Sequence, residues 1–238
     1  MNNPEFHRNL GPFSLRQISD HLNAELKCND ENFLIYDFNA IENAKNTDIT
    51  FLKDNFDYDI DDLDVKSFII SKNNKNCLGN KKNILRVNNL QLSVARLSNF
   101  FFVPNDKKFI SSLKAPDLSS NCNFLDDTAV VSNGATIGKN AIIKSGAYIG
   151  HNCSFGNNVK IGNNAVITNS IIGDNVKIGS NCSIGQSGFG FAPNSPNNEN
   201  IFHKGRVIIQ NNVQIGFNCC IDRGSFRDTI IGENTYMD

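Results

Sequence analysis

The chain has 238 residues, 39% of them hydrophobic, enough for one large or two modest domains with real cores. Its 23 basic and 24 acidic side chains leave a formal net charge of -1, so no long-range field gathers nucleic acid or an anionic membrane surface. No apolar run approaches the roughly 18 residues of a membrane span, the opening MNNPEFHRNL lacks the apolar core of a signal peptide, and the seven cysteines include no CxxC pair, so a cytoplasmic protein with reduced thiols is expected.

Residues 1–115 read as a small mixed α/β domain. Ser14 and Gln17 form a capping box ahead of a helix whose Leu15, Ile18, Leu22 and Leu26 share one face. Short apolar runs predict strands at Phe33 to Ile35, Ile49 to Leu52, Ser67 to Ile70 and Ile84 to Val87. A second amphipathic helix carries Leu90, Val94, Leu97 and Phe101, and Pro104 follows its expected end, where the ring blocks continuation.

Residues 116–238 follow a different rule. From Leu125 an aliphatic or aromatic residue recurs every six positions, through Val131, Ile137, Ile143, Ile149, Phe155, Ile161 and Ile167. After a five-residue step the spacing resumes at Ile172, Ile178 and Ile184, and after an insertion at Ile209, Ile215 and Ile221. Asn or Gly sits three positions after most of these, at Asn140, Gly146, Asn152, Asn158, Asn164, Asn175, Asn181, Asn212 and Asn218, and both residue types tolerate positive φ. A slim residue such as Ala141, Cys153 or Val159 comes next and fits an inward corner. One such unit is a short strand and a turn that cannot bury its aliphatic side chain alone, so units must stack into a parallel β-solenoid. The pattern resembles the hexapeptide repeat of the left-handed β-helix acyltransferases, and the handedness is implied by that resemblance.

The repeat leaves the chemistry open, and the insertion narrows it. The segment from Ile184 to Asp238, with its GFGFA loop at Gly188 to Ala192 and its IDRG coil at Ile221 to Gly224, resembles the UDP-3-O-acylglucosamine N-acyltransferases of lipid A synthesis. ITFL at Ile49 to Leu52 and the later SFIIS resemble that family's uridine-binding domain. The resemblance implies that the 2-amino group of UDP-3-O-acylglucosamine attacks the thioester of a 3-hydroxyacyl-acyl carrier protein, in a homotrimer, with no metal or organic cofactor. A neutral histidine would take the amine's proton. The family's histidine lies a short way past an aspartate that corresponds to Asp238, so the base and the last coils are expected beyond this chain, and the solenoid is expected to be incomplete at that end.

Phe51 and Tyr58, with Asn55 between them, match the family's uracil sandwich at a spacing one residue longer; base stacking on aromatics contributes roughly 1–3 kcal/mol. The other reading of Phe51 is a core strand residue. Gly188, Phe189, Gly190 and Phe191 are candidates for substrate binding, because glycines flanking an aromatic let backbone approach a ligand; Asp238 corresponds to a sugar-contacting position. Asp222 and Arg223 read equally as a contact with a neighbouring subunit or as an ion pair along the stack. His151 has the repeat phase of the family's base but lies several coils too early, and reads as an exposed coil residue. His203 is a candidate for substrate contact, and His7 and His21 read as surface residues of the first domain. Cys153, Cys182 and Cys219 occupy slim inward positions and read as core, and the asparagines read as turn residues. Two other functions remain open: a different hexapeptide transferase, such as a UDP-N-acetylglucosamine O-acyltransferase using His151, and a non-catalytic UDP-sugar-binding remnant.

Overall fold

The computed structural model describes residues 5–53, 63–74, 81–194 and 196–238. The chain divides into two compact units, and neither is a continuous stretch. An α/β unit takes Asn9–Val103 together with Gly190–Phe202, and a solenoid unit takes the segment ending at Arg8, Pro104–Phe189 and His203–Asp238.

In the α/β unit, strands Glu25–Lys27, Asn83–Val87, Ser67–Ser71, Asp48–Phe51 and Asp37–Phe38 lie side by side in that order. The first pair is antiparallel and the rest are parallel. Ser67–Ser71 is buried at every position, as expected of a parallel strand covered on both faces. Helix α1 (Leu15–Leu22) starts with the reciprocal cap between Ser14 and Gln17, and Leu15, Ile18 and Leu22 are buried. Leu26 departs from the expected helical face. Asn23 takes a left-handed conformation, φ 50°, and ends the helix, so Leu26 falls in the strand Glu25–Lys27 opposite Leu85. The strand expected at Phe33 to Ile35 is Leu34–Ile35, paired with Phe13–Ser14. Helix α2 (Leu90–Phe101) is capped by Asn89, whose side chain accepts from Leu92 N–H. Val94, Leu97 and Phe101 are buried, and Pro104 closes the short strand that follows.

The solenoid unit is three parallel sheets of six, five and four strands. Each inward residue sits on its counterpart in the next coil. Ile143, Ile161, Ile178, Ile215 and Met237 stack in the first sheet. Ile149, Ile167, Ile184 and Ile221 stack in the second, and Phe155, Ile172, Ile209 and Ile231 in the third. Three six-residue sides make one coil, so Lys139 and Asn157, 18 positions apart, are neighbours. The five-residue step shortens one coil to 17 positions, as between Asn157 and Asp174, and Asn169, φ 47°, absorbs the difference. Apart from Ile231, which is partly buried, the isoleucines along the stacks are almost fully buried, each worth about 2–3 kcal/mol relative to exposure.

Eight corner asparagines, Asn140, Asn152, Asn158, Asn164, Asn175, Asn181, Asn212 and Asn218, have φ between 55° and 60°. Their placement is turn geometry, and one corner adds a side-chain ladder. Asn140 Nδ2 donates to Asn158 Oδ1 (3.0 Å), Asn158 to Asn175 (2.9 Å) and Asn175 to Asn212 (3.1 Å). The slim residues point inward: Ala141, Ala147, Cys153, Val159, Ala165, Val176, Cys182 and Val213 are buried. Cys219 is only partly so.

Candidate functional site

The insertion leaves the solenoid where strand Ser183–Ser187 ends, and a cluster of polar groups holds its root. Gly185 has φ 80°, and a Cβ there would lie inside the van der Waals envelope of the Thr168 carbonyl oxygen, so only glycine fits. Its own carbonyl accepts from Thr168 Oγ1 (3.1 Å), Asn169 Nδ2 (3.2 Å) and Arg223 Nη1 (2.8 Å). Arg223 also donates through Nε to the His203 carbonyl (3.0 Å) and through Nη2 to Ser187 Oγ (2.8 Å). Burial lowers the Arg223 pKa from its usual value, and the Asp222 charge opposes that shift. Neither expected role of Arg223, an ion pair along the stack or a subunit contact, accounts for these bonds; its guanidinium ties the two ends of the insertion together through backbone carbonyls.

Gly188 sits beside this root. A Cβ at Gly188 would be 3.5 Å from His203 Nε2 and 3.6 Å from Asp222 Cβ. His203 itself is only 6% exposed. Arg206, which sequence reasoning missed, makes a two-pronged pair with Asp228, Nε to Oδ1 at 3.1 Å and Nη2 to Oδ2 at 2.6 Å. Arg206 N–H donates to the same carboxylate. An arginine followed at a distance by an aspartate carries no spacing signal that would have revealed it.

Phe189 is 95% exposed at the tip of the loop. The four loop residues divide between the units, Gly188 and Phe189 with the solenoid and Gly190 and Phe191 with the α/β unit. There strand Phe191–Ala192 pairs antiparallel with Glu199–Asn200, and the hairpin is bound to α2. Gln91 Nε2 donates to the Phe191 carbonyl (2.9 Å), Asn99 Nδ2 to the Asn200 carbonyl (2.7 Å) and Phe202 N–H to Ser98 Oγ (2.8 Å).

Phe51 ends strand Asp48–Phe51, partly buried, with its ring edge-on to Phe38 at 5.8 Å between centroids. Asn55 and Tyr58 lie outside the described residues. His21 is exposed and stacks on Phe100 at 4.2 Å; both rings line a cleft of about 410 Å3 with Arg96, Asn99 and Glu199.

His151 is half-buried, not exposed as its repeat phase suggested. It packs on Phe6, ring centroids 6.4 Å apart, and its Nε2 lies 3.1 Å from Asn105 Nδ2. An amide nitrogen only donates, so in this contact Nε2 is the acceptor. Burial lowers its pKa, against a smaller opposing effect from a hydrogen bond to the Phe6 backbone. Asn105 Nδ2 and Asn152 Nδ2 both donate to the Glu5 carbonyl (2.9 and 2.6 Å). His151 therefore anchors the chain's first described residues on the solenoid, and His7 belongs to that same unit. The Cys153 thiol is buried, and its pKa is pushed up to about 12 by desolvation.

Asp238 lines a separate trough of about 730 Å3 on the outer face of the six-stranded sheet. Ile142, Lys160, Lys177, Gln214 and Tyr236 form its wall in register. Gly162, Gly179 and Gly216 form its floor, with Lys144 at one end and Asp238 at the other.

Residues 119–194 match the family model described as the GMPPB C-terminal domain. The chain is also similar to proteins named UDP-3-O-acylglucosamine N-acyltransferase. Over 53 residues it is 43% identical to that of Parvibaculum lavamentivorans, 45% to that of Methylobacterium nodulans and 43% to that of Rhizobium rhizogenes. These matches cover 22% of this chain and 15% of each relative's length.

Proposed function

We propose that this chain is an N-acyltransferase polypeptide that binds UDP-3-O-acylglucosamine and moves a 3-hydroxyacyl group onto its 2-amino nitrogen from acyl carrier protein. The similarity at 43–45% identity to acyltransferases of that name carries the reading, and a solenoid built on the repeat of such enzymes supports it. In the step, the amine nitrogen bonds to the thioester carbonyl carbon, the carbon–sulfur bond breaks, and a base takes the amine proton and returns it to the departing thiolate. Backbone N–H groups steady the oxyanion. Phe51, Asn55 and Tyr58 are the candidate uracil contacts, and Gly188, Phe189, Gly190, Phe191 and Asp238 are the remaining candidates for substrate contact. Ile171, Ile208 and Ile230 stack in register on the outside of the four-stranded sheet, with Ile230 59% exposed, an apolar stripe that a second copy would cover in a homotrimer.

The second reading, a UDP-sugar-binding protein without transferase activity, is favoured by the occupation of the histidines. His151 Nε2 accepts from Asn105 while its ring packs on Phe6, and His203 is buried. Calorimetric titration with UDP-3-O-acylglucosamine, followed by a transfer assay with labelled 3-hydroxyacyl-acyl carrier protein, separates the two. Saturable binding with amide product supports the transferase, and binding without product supports the second reading. No binding at millimolar UDP-sugar sinks both.

A further inference from the structure

The α/β unit holds a cleft of about 410 Å3 whose described lining shares no residue with the expected uracil site. Small-molecule sites run from roughly 300 to 1,000 Å3, so the cleft is large enough for a ligand. Three elements build it. Arg96, Asn99 and Phe100 stand at positions i, i+3 and i+4 of α2 and so share one face. His21 comes from the last turn of α1, and Glu199 opens the second strand of the hairpin. The bonds from Asn99 to the Asn200 carbonyl and from Phe202 N–H to Ser98 pin that strand to α2, so the walls rest on hydrogen-bonded elements rather than on a free loop.

One wall is aromatic. The Phe100 ring lies 4.1 Å from Phe13 and 4.2 Å from His21 between centroids, the His21 plane tilted only 22° from it. The group of rings ends at His21, which is exposed and has no other ring against it among the described residues. The remaining walls carry polar groups that the fold leaves open. Arg96 Nε is 3.6 Å from Glu199 Oε2, an ion pair too long for a hydrogen bond. Among the described residues, neither of these two side chains hydrogen-bonds to any group. Asn99 gives both amide protons away, to the Ala95 carbonyl (3.0 Å) and the Asn200 carbonyl (2.7 Å), which fixes the orientation of the amide and leaves Oδ1 without a donor. The cleft thus offers two acceptors, the Glu199 carboxylate and Asn99 Oδ1, and one forked donor, Arg96, beside stacked rings. A bare anion would meet Glu199 next to the one cation, and a bare amine would leave the rings unused. A flat heterocycle with N–H donors on one edge and acceptors on another satisfies every group, and guanine has that layout. Its N1–H and 2-amino group match a carboxylate, its O6 and N7 match an arginine fork, and its ring stacks on an aromatic platform. Uracil lacks the amino group.

We infer that the cleft lined by His21, Arg96, Asn99, Phe100 and Glu199 is a binding site for an amino-bearing planar heterocycle of the guanine type. This inference stands on the α/β unit alone and does not depend on the acyl-transfer reading. Equilibrium dialysis of the full chain against radiolabelled guanosine tests it, with unlabelled nucleosides and UDP as competitors. Guanosine should bind saturably below 1 mM. Inosine, which lacks the 2-amino group, should need at least roughly tenfold more to displace it, the cost of a lost hydrogen bond to a charged acceptor, and 1 mM UDP should displace none. Glu199→Gln should weaken binding by roughly tenfold or more, and His21→Ala by roughly 5- to 150-fold through lost stacking. Arg16→Gln, at an exposed arginine of α1 with its own ion pair to Glu31, is the control and should change affinity less than about twofold. Circular dichroism on each variant checks the fold, and the inosine comparison needs no variant. Displacement by inosine as readily as by guanosine would reduce the cleft to a stacking surface, and displacement by UDP would make the binding that of a uridine-nucleotide site. Unchanged affinity in folded Glu199→Gln and His21→Ala would put the nucleoside elsewhere. Any of these three, or no saturable binding by the wild-type chain up to 1 mM, overturns the inference.

Discussion

Replacing Asn158 isolates what the corner asparagines contribute. Asn158 stands at φ 58°, accepting from Asn140 (3.0 Å) and donating to Asn175 (2.9 Å). Its N–H bond to the Lys139 carbonyl (2.8 Å) survives any substitution but proline. Asn158→Ala removes both side-chain bonds, about 0.5 kcal/mol each at an exposed corner where water replaces them. It also forces a methyl-bearing residue to hold a left-handed conformation, about 1–2 kcal/mol. The expected loss is therefore roughly 2–3 kcal/mol. Asn158→Gly loses the same bonds and escapes the backbone penalty, but frees the unfolded chain by about 0.5–1 kcal/mol, for a loss of roughly 1.5–2 kcal/mol. Urea unfolding followed by far-ultraviolet circular dichroism should thus rank the glycine variant above the alanine variant, the reverse of the order at an ordinary strand site. If the alanine variant is as stable as the glycine variant, the corner is not held by φ, and the account of the repeat fails.

Gly185→Ala should destabilise by at least 3 kcal/mol or prevent folding, since the new Cβ meets the Thr168 backbone; near-wild-type thermal unfolding would contradict that geometry. Burial lowers the His151 pKa, so the unfolded chain binds the proton more readily. Stability should hold above about pH 6.5 and fall as pH drops below it, and His151→Gln should flatten that slope in melting temperatures measured from pH 7.5 to 5. Iodoacetamide at pH 8 on the native protein should modify exposed Cys220 and spare Cys153, whose pKa is about 12; peptide mass spectrometry showing early Cys153 labelling would mean that the core opens. Phe51→Leu keeps an apolar body against Phe38 and removes the ring face, so on the uracil reading UDP affinity should fall roughly 5- to 150-fold while the melting temperature changes little. Unchanged affinity by calorimetry would remove Phe51 from the site.

The solenoid was legible because stacking leaves a periodic trace: Ile143, Ile161 and Ile178 are spaced by the coil, and Asn140 and Asn158 by the turn. Leu26 was misread because apolar spacing continues past the point where Asn23 leaves the helix, and spacing does not record a backbone reversal. His151 was misread for a different reason. Repeat phase says which way a side chain points, but its neighbour is Phe6, brought in from the far end of the chain. The clamp of Arg223 was invisible because its acceptors are the backbone carbonyls of Gly185 and His203, which leave no mark in a sequence. Of the expected uracil site, Phe51 lies within the described residues and Asn55 and Tyr58 lie outside them.

The hairpin at Gly190 to Phe202 interrupts one unit and completes the other. The Ser98 hydroxyl waits for the Phe202 amide, 104 positions later, and Asn99 waits for Asn200. On the ribosome, α2 therefore emerges well before the segment that finishes its packing, and several solenoid coils are synthesised in between. Such distant closure slows folding, and it means that cutting the gene between two apparent halves would leave each product lacking a piece carried by the other.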